Sequence, residues 1–149
     1  MNIWNGTSRK FLEAVPVYKR ILRMVPDSGH LIHMATHIDV LCGDYPSVIS
    51  RNHQAAIVDR SFTELRGPHN FYTVYRIHNV HFEAYGAMFL AQMGIALTAA
   101  NALRQELLPE PVVAFLPDLF EAFWGMRLHV IQRNLHRWFE RTSGLKHEI

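Results

Sequence analysis

The chain lacks most features that mark secreted proteins and the common enzyme classes. It has 1 Cys in 149 residues, which excludes an internal disulfide and a multi-cysteine zinc site, and we expect Cys42 to pack rather than react. No Gly-x-Ser-x-Gly elbow, glycine-rich phosphate loop or His-Glu-x-x-His sequence occurs, so hydrolases and nucleotide-binding proteins receive little support. The start, Met1 to Glu13, lacks the apolar segment of a signal peptide, which predicts a cytoplasmic protein.

Clustered charge and long apolar runs are also missing. The 15 basic and 13 acidic side chains nearly cancel, and the basic ones form no stripe that could follow phosphates, so we expect no nucleic-acid partner. The segment from Ala84 to Leu103 has no charged residue. It is rich in alanine and contains Gln92 and Asn101, unlike a membrane helix dominated by Leu, Ile, Val and Phe. We therefore expect no membrane span.

Strand patterns are scarce, because apolar residues recur at helical spacings rather than in alternation. The prediction is one all-α domain over residues 1–149, built as a TPR-like α-solenoid of stacked antiparallel helix pairs. After a first helix at about 8–25, the pairs are predicted at about 30–64 and 70–108, with a final helical segment at about 117–141.

Glycines, caps and prolines predict where the helices turn. Gly43 suits a left-handed helix end, Asp44 can cap the next helix, and Pro46 fits its first turn. Gly94 is predicted to form the equivalent turn of the second pair, which places His30 opposite His81. In the first pair, residues that share one face of the second helix predict a close helix contact: Val48, Asn52, Ala55, Ala56 and Asp59.

Histidine is the residue type in excess. The chain contains 10 His, and half of them fall on two predicted helices at spacings of three and four: His30, His33, His37, His78 and His81. Residues at these spacings project from one helical face, where two imidazoles can hold one metal ion. Each helix therefore presents a histidine face.

Helix geometry limits how many of these imidazoles one ion can take. His30 and His37 are about 10.5 Å apart along the helix axis, so two histidines of this helix and a donor from the second are expected to share an ion. The best candidates are His33, His37, His78 and His81, with His30 as an alternate. Zinc, iron(II), copper or nickel suits such ligands, and zinc or iron is the expected metal. A hydrogen-bonded polar core and a pocket for an anion remain alternatives.

Other polar residues are weaker candidates. Asp39 and Glu83 are the nearest carboxylates, but each points away from its histidine face. Tyr72 and Tyr75 precede His78 at spacings that reach the same groove, although aromatic residues there are more typical of core. The final segment also carries two histidines that could close the groove, His129 and His136.

Two segments resemble a known group of proteins. His30-Leu31-Ile32-His33-Met34-Ala35-Thr36-His37-Ile38, followed by Gly43-Asp44-Tyr45, is similar to a signature of bacterial and fungal tetratricopeptide-repeat proteins, typically His-Leu-x-His-Met-Pro-x-His-Ile. Ala35 stands in place of the proline. His78-Asn79-x-His81-Phe82 and Arg137-Trp138 also resemble the family. The resemblance implies a TPR-like fold that binds peptides or proteins on its concave face, and a chain shorter than most members, which carry an upstream histidine-bearing repeat.

Three functional hypotheses follow from the sequence. The first is a metal-binding repeat protein with a histidine-lined groove, a non-haem metalloenzyme or a remnant of one. The second is a non-catalytic scaffold that binds a protein or peptide on its concave face. The third is a truncated family member that oligomerises through an uncovered helix. The sequence leaves open whether the protein is an enzyme, and which substrate it would use.

Overall fold

The computed structural model of the chain describes residues 3–67, 70–104 and 129–132. The described residues form helices and turns, with no strand among them. The helices are α1 (Ile3–Met24), α2 (Gly29–Cys42), α3 (Tyr45–Arg66), α4 (Phe71–Phe89) and α5 (Met93–Ala102). The predicted all-α class is confirmed.

Each helix packs on the next, and α2 also contacts α4 across the first helix pair. The pairs α2–α3 and α4–α5 correspond to the two predicted units. Two parts of the prediction lie outside the described residues. They are the second pair beyond residue 104 and the final segment apart from 129–132. Residues 129–132 are helical, and Val130 is buried in the same apolar cluster as Leu103.

Local sequence explains the first pair. Ser28 and Asp44 cap α2 and α3 by accepting hydrogen bonds from the backbone N–H groups of Leu31 and Ser47. Gly43 adopts φ 74° at the end of α2, as predicted. The predicted inner face of α3 is confirmed in full, because the buried residues of that helix are Val48, Asn52, Ala55, Ala56 and Asp59.

Three expectations from the sequence are wrong. α1 begins at Ile3 instead of at about residue 8, because low helix propensity at Asn5 and Gly6 is a weak constraint. Cys42 is exposed, not packed, because it ends α2. Gly94 lies inside α5 and does not form the turn, which is built by Leu90, Ala91 and Gln92.

The two turns share one hydrogen-bond pattern. The N–H of Asp44 donates to the carbonyl of Asp39 at 2.8 Å, and the N–H of Gln92 donates to that of Ala87 at 2.9 Å. Ala91 adopts φ 57° where the first turn has Gly43. Superposing Gly43 on Ala91 therefore pairs His30 with His78 and His33 with His81, which corrects the predicted pairing of His30 with His81.

This shared turn makes a matched pair of substitutions informative. A residue with a Cβ is destabilised by about 1–2 kcal/mol in the left-handed backbone conformation. Glycine avoids this cost, but its larger conformational entropy in the unfolded state offsets part of the advantage. We expect Ala91→Gly to raise the free energy of unfolding by about 1 kcal/mol, and Gly43→Ala to lower it by a similar amount. A Cβ at Gly43 has no atom within 4 Å, so only backbone strain is tested. Urea denaturation measures both, and a less stable Ala91→Gly protein would show that the turn is misassigned.

No helix among the described residues is long and apolar enough to cross a membrane. The uncharged segment from Ala84 to Leu103 is divided between α4 and α5 by their turn, so it does not form one continuous helix.

Candidate metal centre

Three histidines from α2 and α4 meet where these helices contact each other. We call His33, His37 and His78 the histidine triad. One ring nitrogen from each lies within 4.8 Å of those of the other two. His33 is buried, whereas His37 and His78 are half-buried, so the group lies at the edge of the packed interior.

The distance between the two α2 histidines suits a shared ion. Nε2 of His33 and Nε2 of His37 are 3.1 Å apart, and nitrogens bound to one tetrahedral zinc at 2.0–2.1 Å are separated by about 3.3 Å. The ring centroids of His33 and His78 are 4.5 Å apart, and those of His37 and His78 are 6.5 Å apart. The ring of His78 therefore lies closer to that of His33 than to that of His37.

A buried amide on α3 determines which nitrogen of His33 carries the proton. Nδ2 of Asn52 donates to the carbonyl of Val48 at 2.8 Å and to Oγ1 of Thr36 at 3.1 Å, so Oδ1 of Asn52 must accept. Nδ1–H of His33 donates to it at 2.7 Å. The lone pair of His33 is therefore on Nε2, the nitrogen that faces His37.

The electrostatic environment favours the neutral form of His33 and of His78. The pKa of His33 is lowered to about 4, mainly by burial and to a smaller extent by the nearby His78, His37 and His30, whereas the hydrogen bond to Asn52 acts in the opposite direction. Burial, followed by His37 and His30, also lowers the pKa of His78. Neutral imidazoles at neutral pH can bind a metal ion without first losing a proton.

An aromatic ring covers the triad. The ring centroid of Phe82 lies 4.9 Å from that of His33, 5.0 Å from His37 and 4.9 Å from His78. Phe82 follows His78 by one helical turn on α4, and this spacing is the sequence signal for its place beside the triad. An apolar neighbour in contact with all three rings limits the access of water to them.

The remaining predicted ligands lie beside the triad. The ring of His30 stacks on that of Tyr75 at 4.4 Å and lies 6.4 Å from that of His33. The ring of His81 lies 6.4 Å from that of His78. Burial lowers the pKa of His81 to about 4, with His78 and His129 adding to the effect. His129 is therefore near enough to affect the pKa of His81, and His136 lies outside the described residues.

The weaker candidates are engaged elsewhere. Asp39 is buried, pairs with Arg51 and accepts a hydrogen bond from the hydroxyl of Tyr18 at 3.1 Å. Oε1 of Glu83 lies 3.1 Å from Nδ1 of His53. Tyr72 stacks on Phe62, so of the two tyrosines it is Tyr75 that contacts the histidine cluster.

The first and second units differ at the residue that orients the buried histidine. In the register given by the turns, Ala100 of α5 occupies the position of Asn52, and Tyr85 occupies that of His37. The second unit therefore has no amide at the position of Asn52 and no imidazole at the position of His37. The three-nitrogen arrangement is formed where α2, α3 and α4 meet.

Comparison of the chain with family models, with curated proteins and with solved structures finds no match.

Proposed function

We propose that the protein binds one divalent transition metal ion, zinc or iron(II), between α2 and α4. Nε2 of His33, Nε2 of His37 and a ring nitrogen of His78 are the ligands. The observation that carries this proposal is the convergence of three imidazole nitrogens within 4.8 Å. The protonation of His33 supports it, because Asn52 leaves Nε2 available for coordination.

The number of protein ligands bears on what the metal would do. A structural zinc site usually has four protein ligands, whereas a site with three leaves a position for water or a substrate oxygen. A three-histidine centre of this kind is suited to Lewis-acid chemistry or to water activation. The proposed function therefore includes a metalloenzyme, with His33, His37 and His78 as ligands and Phe82 limiting access to solvent.

We further infer a TPR-like arrangement of the helix pairs. Support comes from the contact between α2 and α4 and from the common turn at Gly43 and Ala91, both expected when equivalent helices of successive repeats lie side by side. In that arrangement the triad lies on the surface lined by the first helices of the pairs. This surface is the concave groove of a TPR-like solenoid.

Zinc titration of the metal-stripped protein tests the proposal. We expect about one equivalent to bind, and zinc at 100 times its Kd to stabilise the fold by about 2.7 kcal/mol. His33→Ala and His78→Ala should each weaken binding by about 100-fold, because each removes a ligand. His53→Ala serves as the control, since His53 is exposed on α3 and contacts Glu83.

A scaffold that binds a peptide without metal gives a different result. Zinc then neither binds near one equivalent nor raises the melting temperature of the protein. Zinc binding that survives in both His33→Ala and His78→Ala would also contradict the proposed ligand set.

A further inference from the structure

A cavity lies on the opposite side of α4 from the histidine triad. It has a volume of about 200 Å³ and is lined by residues of α3, α4 and α5. Three residues of α4 line the cavity: Arg76, Val80 and Glu83. Because each residue of an α-helix is rotated by about 100° from the previous one, these side chains project roughly opposite to His78. The cavity and the triad are therefore separate features of the fold.

The two ends of this cavity have different chemical character. At one end, Nδ1 of His53 on α3 lies 3.1 Å from Oε1 of Glu83 on α4. Two helical turns further along α3 is Arg60, and two turns back along α4 is Arg76. Since α3 and α4 run antiparallel, both arginines lie at the same end, about 10.5 Å along the helix axes from the His53–Glu83 pair. Both line the cavity.

Small apolar side chains form the surface between these ends. Ala56 of α3 and Val80 of α4 are buried core residues, and Ala99 of α5 is buried beside them. Such a surface can hold an apolar group about as long as the distance between the two ends. The volume is below the ~300–1,000 Å³ of pockets for drug-sized ligands, so this cavity by itself suits a small ligand.

We propose that this cavity binds a small carboxylate with a short apolar stem, the head group on Arg60 and Arg76 and the stem across Ala56 and Val80. Guanidinium groups bind carboxylates through paired, charge-assisted hydrogen bonds. The carboxylate of Glu83 would repel the head group from the opposite end, which determines the ligand's orientation. Arg76 also interacts with the carboxyl of Asp59, but Asp59 is fully buried and does not line the cavity.

Hexanoate is the probe, and calorimetric titration in the presence of EDTA is the measurement. The chelator prevents the carboxylate from binding through a metal ion. Hexanoate should bind, while hexanamide, which lacks the charge, and acetate, which lacks the stem, should bind at least about tenfold more weakly. Hexanoate should also shift the backbone amide resonances of Thr98 and Ala99, two residues that line the cavity.

Substitutions locate the head group. Arg60→Gln and Arg76→Gln should each weaken hexanoate binding by about tenfold or more. Arg66→Gln, at an exposed arginine outside the cavity, should have no effect. Hexanamide binding as tightly as hexanoate would overturn the proposal, as would hexanoate binding that survives the double arginine substitution.

Discussion

Replacing Asn52 with alanine is expected to weaken zinc binding by about 10–100-fold, although Asn52 does not contact the ion. Nδ1–H of His33 donates to Oδ1 of Asn52, and this bond orients the ring and keeps the lone pair on Nε2. Without the amide, Nε2 can carry the proton, and the ring can rotate away from His37. Calorimetric titration with zinc at a temperature where the variant is fully folded measures the effect.

The same substitution should lower the free energy of unfolding by about 2–4 kcal/mol, because it leaves buried partners without their hydrogen bonds. Asn52 is 0% exposed, and its side chain bonds to His33, Thr36 and the carbonyl of Val48. Water cannot replace these bonds without entering the interior.

A second destabilised protein separates orientation of His33 from general loss of stability. Leu103 is 0% exposed in the apolar cluster of α4 and α5, and Leu103→Ala should cost about 2–5 kcal/mol. Its zinc affinity should equal that of the unsubstituted protein once both are folded. Equal loss of zinc affinity in both variants would mean that Asn52 acts only through stability.

Gly29→Ala is expected to destabilise the fold by about 2–4 kcal/mol, because α2 and α3 approach too closely there for a side chain. A Cβ at Gly29 would lie 2.7 Å from the carbonyl oxygen of Ala55 and closer still to the carboxyl of Asp59. The backbone carbonyl cannot move without shifting α3. The carboxyl of Asp59 is fully buried and accepts a hydrogen bond from Nδ2 of Asn79 at 2.8 Å, so it has little freedom to rearrange.

Gly94→Ala is the matched control for that substitution. Gly94 also lies in a helix, but a Cβ there has no atom within 4 Å, so alanine should stabilise the protein by about 0.5–1 kcal/mol. Urea denaturation of the two variants measures the difference. Equal effects at the two glycines would show that the close contact between Gly29 and α3 is absent in solution.

The first helix pair could be predicted because its signals are local. Gly43, Asp44 and Pro46 each favour one conformation, and the structure has the predicted turn, cap and first helical turn at these residues. The second turn could not be predicted by the same rule. Ala91 adopts the left-handed conformation despite its Cβ, since the shared hydrogen bonds of the turn and the packing of α4 on α5 outweigh the local cost.

The misplaced second turn changed which histidines of the two units were predicted to be equivalent. Placing the turn at Gly94 matched His30 with His81, whereas the observed turn matches His30 with His78 and His33 with His81. The equal spacing of His33, His81 and His129 in the sequence is a signal that would have revealed the register. Helical spacing did predict that two histidines of α2 would combine with one from the second unit, and the structure brings together His33, His37 and His78.

Other parts of the site depend on tertiary contacts that spacing alone does not show. Asn52 was predicted to lie on the inner face of α3, but its bond to His33 depends on how α3 rotates against α2. The contact of Phe82 with the triad depends in the same way on the rotation of α4. Sequence periodicity therefore predicts which faces meet, and the packing of the helices determines which atoms touch.

Crystals of the protein grown with zinc provide the most direct test of the metal centre. An anomalous difference map recorded at the zinc absorption edge should show one strong peak between α2 and α4, about 2.0–2.1 Å from a ring nitrogen of each of His33, His37 and His78. Absence of a peak there, or a peak at His53 and Glu83 instead, would contradict the account.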